Sequence, residues 1–217
     1  MPARQVPAVR FTDRVIAVGS VDVAASDAVP VIRGWVDKGL KGLRIFTGGS
    51  TKDFDPTELE NPAAYPAWEV LGDLGIPMCI QTGPIGLPQV CDLAVRFPKV
   101  NIILDHLGRP DVLDGPPYAN ADSLFAMADL PNIYLKLTPR IMGDVTKGQA
   151  SADTFFTKVA AVFGANRMAW GSNFPTSPGT LSDILATARD RLACLSDEDQ
   201  NWVFAKTAQT LYPALKD

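Results

Sequence analysis

Six times over, an apolar run rich in branched residues is followed by a stretch with helical spacing, and this alternation limits the available folds more than any other feature. Strands read at residues 15–21, 42–46, 76–82, 101–106, 132–138 and 167–173. Helical spacing covers 26–38, 65–74, 87–97, 121–129, 151–163 and 180–192, and a last helix runs from the Ser196 cap to Tyr212. The strand runs are continuously apolar rather than alternating, which calls for burial on both faces and a parallel sheet. Long loops at 47–64, 109–120 and 139–150 follow strands. The helix-to-strand turns are short, marked by Gly39, Gly75, Phe97-Pro98, Leu130-Pro131 and Gly164. Elaborated loops at the carboxyl ends of the strands and plain turns at the other end predict an α/β barrel. A doubly wound sheet is the alternative, but neither GxGxxG nor GxxxxGK[ST] follows the first strand.

The fourth strand, Asn101-Ile102-Ile103-Leu104-Asp105-His106, ends on the only histidine in the chain. A buried parallel strand that delivers one polar side chain to its carboxyl end is how such folds build sites, although a packing histidine would also read this way. Other polar groups fall at or just after strand ends: Arg44, Gln81, Arg109, Lys136, Arg140 and Asn173, with Thr82 and Ser172 nearby. That set is cationic or neutral, whereas the whole chain carries a net charge of −4. A small anionic substrate gripped by arginine forks fits this contrast. The competing reading for Arg44 or Arg140 is a loop ion pair with Asp53, Asp55 or Asp144. Neighbouring strand residues point to opposite faces, so Asp105 reads as a poor orienting partner for His106. The direction of Lys136 is open, with a solvated or paired ammonium the safer reading. Trp170 reads as core, and Ser172 shows no base beside it.

No lysine or arginine cluster with interleaved aromatics suggests nucleic acid or an anionic membrane as a partner. Three cysteines without a CxxC give neither a disulfide framework nor a zinc knuckle, and Cys79 and Cys194 read as buried thiols. The amino terminus lacks an apolar signal core and no run reaches transmembrane length, so the expected location is cytoplasmic. Residues 1–217 read as one domain.

The runs LDHLGRP, PNIYLKLT and FGANRMAWGSNFP, in this order, resemble the amidohydrolase-2 branch of the amidohydrolase superfamily, which includes pyrone-dicarboxylate lactonases and related decarboxylases. The resemblance extends from about Val15 to the closing Thr207–Tyr212. It implies a (β/α)8 TIM barrel, here incomplete: the six βα units correspond to strands three to eight, and strands one and two are missing. It also implies an HxH pair on strand one, histidines on strands five and six, and an Asp on strand eight. No HxH occurs here; the strand-five position falls near Gln81, strand six gives His106, and strand eight gives Asn173. Asn cannot act as a general base, and one histidine cannot build a zinc site that takes three protein ligands. No metal or other cofactor is therefore expected in this chain; zinc or manganese would enter only if upstream sequence supplied the HxH.

The resemblance and the mouth residues together imply a hydrolase of this metal-dependent family acting on a small carboxylated lactone, cyclic ester or amide. His106 and Asn173 would be the catalytic groups, and Arg44, Gln81, Arg109 and Arg140 would bind substrate. A catalytically inactive barrel remnant serving as a binding or assembly subunit is the rival, and a decarboxylase is third. Six strands are too few for the eight-stranded geometry, so two open sheet edges and self-association through them are expected.

Overall fold

The structure is a computed structural model that describes residues 14–48 and 55–215. In chain order its elements are β1 (Ala17–Gly19), α1 (Ala28–Asp37), β2 (Leu40–Phe46), α2 (Tyr65–Leu74), β3 (Met78–Gln81) and α3 (Leu87–Arg96). Then come β4 (Ile102–Asp105), α4 (Asp122–Phe125), β5 (Ile133–Leu137), α5 (Pro139–Asp144), α6 (Ala152–Phe163) and β6 (Met168–Trp170). The chain closes with α7 (Leu181–Arg191), α8 (Asp197–Asn201), a π turn (Trp202–Lys206) and α9 (Thr207–Leu211).

Among the described residues all five strand pairings are parallel and the sheet order is β1-β2-β3-β4-β5-β6, the same as the sequence order. A doubly wound sheet would step back past its first strand, so that alternative falls. β1 and β6 are not neighbours: the sheet curls as a half-barrel and leaves two edges.

Strand parity assigns the two faces. Leu43, Met78, Ile80, Ile102, Leu104, Leu135 and Met168 lie in the main core, together with the apolar stripes of the helices, including Ile32, Leu71, Val90, Phe155 and Val159. The alternate residues Arg44, Cys79, Ile103 and Tyr134 line up across β2 to β5, and Asp105, Lys136 and Ala169 line up across β4 to β6. These form the concave face. The continuously apolar reading holds for β4, which is buried throughout, but β5 alternates between buried and half-buried residues because its concave side is partly open.

Two polar side chains hold the turns at the amino ends of the strands. Asn132, just before β5, donates through Nδ2 to the carbonyls of Ala94, Phe97 and Val100 at 3.1, 3.4 and 3.0 Å. Arg167, just before β6, donates to the carbonyls of Phe163, Leu130 and Ala128 at 2.7, 2.9 and 2.9 Å. These residues of the PNIYLKLT and FGANRMAW runs therefore satisfy turn carbonyls that would otherwise be left without donors.

The end of the chain fills part of the concave face. Leu211 packs with Cys79 and Ile103, and Tyr212 packs against them. A Cβ on Gly42 would lie 3.1 Å from the Tyr212 ring, so glycine in β2 leaves room for this close approach. The Tyr212 hydroxyl is 3.8 Å from Cys79 Sγ.

Several boundaries differ from the sequence reading. β1 and β6 are shorter than expected, since the ends of the two edge strands lack a partner on one side. The 47–64 loop contains two 3-10 turns, Pro56–Glu60 and Pro62–Ala64, capped by the side chains of Asp55 and Asn61. Residues 139–150 are not all loop: Pro139 opens α5 at a position where its missing N–H costs nothing. The final helix is interrupted by the π turn. Cys194 is exposed rather than buried, because it lies in the turn after α7. Among the described residues no helix is long and apolar enough to cross a membrane.

Candidate functional site

Asp105, the last residue of β4, points onto the concave face, and its side chain is only 1% exposed. A carboxylate buried to that degree needs charged partners. It has two: the Arg44 guanidinium from β2, and Lys136 Nζ from β5 at 3.1 Å. Arg44 also donates to Gln81 Oε1 at 2.9 Å and lies over the Phe46 ring. Gln81 Nε2 in turn donates to the Gly48 carbonyl at 3.1 Å. Two cations and one anion leave this cluster with one net positive charge.

Arg44 is thus an ion-pair residue, and its partner is Asp105; Asp53 lies outside the described residues. Lys136 is also paired. Arg140 does pair along its own helix, with Nε 3.6 Å from Asp144. The sequence reading sets Asp105 aside because neighbouring strand residues point to opposite faces, whereas the structure makes it the anion of the concave cluster. The usable signal was parity, since Asp105 and Lys136 occupy matching concave positions on adjacent strands.

Past Asp105 the backbone turns left-handed. His106, Leu107, Gly108 and Arg109 have φ of 55°, 56°, 69° and 58°. Left-handed conformations in three non-glycine residues are costly and persist only when their surroundings enforce them. The turn reverses the alternation of the strand, so His106 is not simply opposite Asp105. Its Nδ1 shares a 2.7 Å hydrogen bond with Thr138 Oγ1 at the end of β5. Burial is the main cause that lowers its pKa to about 4; nearby Asp105 opposes the shift, while Arg109, Lys136 and Arg44 reinforce it. The imidazole is neutral at ordinary pH. Thr138 was not among the expected site residues.

Burial, followed by the Arg140 charge, holds the Arg109 guanidinium below its ordinary range. Arg44 and Gln81 thus meet through a hydrogen bond, the charges of Arg44 and Arg109 act on His106, and that of Arg140 acts on Arg109. Asn173 has φ 50° and donates through Nδ2 to Ser177 Oγ at 3.0 Å, within its own loop. No hydrogen bond joins it to His106 among the described residues. Thr82 is buried against Thr47 Oγ1 at 2.9 Å and serves the scaffold. Ser172 Oγ accepts from the Phe174 N–H.

This donor set does not fit a divalent ion. No group of three His, Cys, Asp or Glu converges among the described residues, and the one interior carboxylate is already held between two cations. A third cation there would meet their repulsion.

Comparison with known proteins agrees with the fold. The chain is 26% identical over 166 residues to an L-fucono-1,5-lactonase of Burkholderia ambifaria, a match covering 74% of this chain and 55% of the lactonase. It thus spans little more than half the length of that relative. An amidohydrolase of Burkholderia multivorans with bound zinc superposes with a TM-score of 0.74 at 18% identity, covering 91% of this chain and 73% of that one. A Pseudomonas putida protein named for 2-pyrone-4,6-dicarboxylic acid hydrolysis gives a TM-score of 0.69 at 18% identity, covering 87% of this chain and 69% of that one. The half-barrel, its strand order and the match of residues 5–214 to the family model described as Amidohydrolase (Amidohydro_2) lead to one conclusion: the chain belongs to the amidohydrolase-2 family.

Proposed function

We propose that this chain carries the substrate-binding half of a hydrolase that opens a small carboxylated lactone or related cyclic ester. The observation that supports this most is the neutral His106, held by Thr138 beside the Arg109–Arg140 pair where the strands end. A Thr138 hydroxyl that donates to Nδ1 leaves Nε2–H to donate to a substrate carbonyl oxygen. A neutral imidazole serves that role without needing a proton from solvent. Arg109 and Arg140 supply fork-shaped donors for the carboxylate, and Arg44 with Gln81 completes the cationic wall. Similarity to the fucono-lactonase supports the lactone class, and the charge of the site supports an anionic member of it. The reaction would lean on His106 and these cations rather than on a divalent ion, with Asn173 aligning the loop after β6.

A screen of carboxylated lactones against uncharged esters, with elemental analysis of the same sample, tests the proposal. Expected are turnover of the carboxylated set only, well under one equivalent of zinc or manganese, and at least a tenfold loss in His106→Ala with the fold intact. Unfolding of His106→Ala, together with unchanged activity in Arg109→Ala and Arg140→Ala, would make His106 a packing residue. The second reading is a binding or assembly subunit without turnover. It is favoured by Asn173, whose amide is committed to Ser177.

A further inference from the structure

We propose that the concave face holds a second binding chamber, beside the strand-end site and sharing only Arg44 with it, which takes a small carboxylate with an apolar body. A cavity of about 300 Å³ lies between the sheet and the closing helix. Its walls divide by chemistry. Val18, Ile103, Ala169 and Leu211 form an apolar part, and Arg44, Lys136 and Trp170 bring donors.

The donors exceed the acceptors. Arg44 and Lys136 share the single carboxylate of Asp105, which is nearly fully buried and is not part of the lining. Arg44 Nε and Trp170 Nε1 are buried with no hydrogen-bond acceptor. Buried donors of this kind are rare unless something accepts from them. A carboxylate offers two oxygens and one negative charge, which matches the net positive charge of the cluster and the orphaned N–H groups. The volume lies at the small end of ligand cavities, so the body attached to the carboxylate is about one ring or a short branched chain. Ile103, Ala169 and Leu211 would cover it. Gln81, His106, Arg109 and Arg140 do not line this cavity, so Arg44 is the one group common to both sites and the His106 variant tells them apart.

The probe is cyclohexanecarboxylate, measured by calorimetric titration and thermal shift. The neutral cyclohexanecarboxamide and the cationic cyclohexylmethylamine serve as shape controls. Binding of the carboxylate at one equivalent is expected, with neither control binding. Ala169→Leu fills the chamber and should abolish binding. Lys136→Met and Trp170→Phe should each weaken it at least tenfold, while His106→Ala should leave it unchanged. If Lys136→Met fails to fold, Trp170→Phe and Ala169→Leu carry the comparison. Failure of the carboxylate to bind overturns the proposal. So does binding that survives Ala169→Leu, or binding lost in His106→Ala, which would move the ligand to the strand ends.

Discussion

His106 makes the stability of this protein depend on pH in a definite direction. Its ordinary pKa is 6.5 and its folded value is about 4, so between these values the unfolded chain binds more protons than the folded one. Stability is therefore undiminished above about pH 6.5 and falls as pH drops toward 4. The full shift corresponds to about 3 kcal/mol, and with solvent screening about 2 kcal/mol is expected. Urea titrations from pH 7 to 4 should show this loss, and His106→Gln should flatten it. Asp105 behaves differently, because its role is to neutralise two neighbours. Asp105→Asn leaves Arg44 and Lys136 facing each other with no counter-charge, and breaking a buried pair in this way costs about 3 kcal/mol. Denaturant midpoints of Asp105→Asn and of the Arg44→Met/Asp105→Leu/Lys136→Met triple variant check it. The triple variant is expected to recover most of the loss, since it leaves no uncompensated charge.

Helix ends were the most legible elements. Thr180 caps α7 by accepting from the Asp183 N–H, while Asp183 returns a bond to the Thr180 N–H, and Ser196 caps α8. Local chemistry alone specifies these, so spacing located them within a residue or two. Thr180→Ala should lower stability by about 1 kcal/mol in thermal unfolding, with the sheet unaffected. The order of the strands was legible for the same reason, since each pairs with its sequence neighbours. What escaped depended on distant partners. α5 was hidden because Pro139 reads as a loop residue until it is seen at a helix start. The π turn at Trp202–Lys206 has no local signature. At the site, the sequence shows Gln81 and His106 at strand ends and Arg44 near one. The pairing of Arg44 with Asp105 joins residues far apart in sequence, and the His106–Thr138 bond depends on a left-handed turn that no spacing rule indicates.

At the largest scale the described residues form a sheet with two ends. Val15 and Val18, beside the first edge, are 50% and 41% exposed, and apolar residues next to an unpaired strand favour association with another chain. Self-association of the 217-residue chain is the expected outcome in size-exclusion chromatography with light scattering. A sharp monomer peak with a cooperative thermal transition would show that six strands are enough. Tyr212 has a further effect on how the chain comes together. Every strand pairs only with the next, so the sheet can grow by short loop closures and resembles a repeat array more than a ring. Such an array tends to fray from its ends one unit at a time. The contact of Tyr212 with Gly42 and Cys79 spans 133 residues in the case of Cys79, and it ties the last segment to the second and third strands. With Leu211 packed on Cys79 and Ile103, this long-range closure is made by side chains rather than by strand pairing, and it favours unfolding of the six units together over unfolding in sequence.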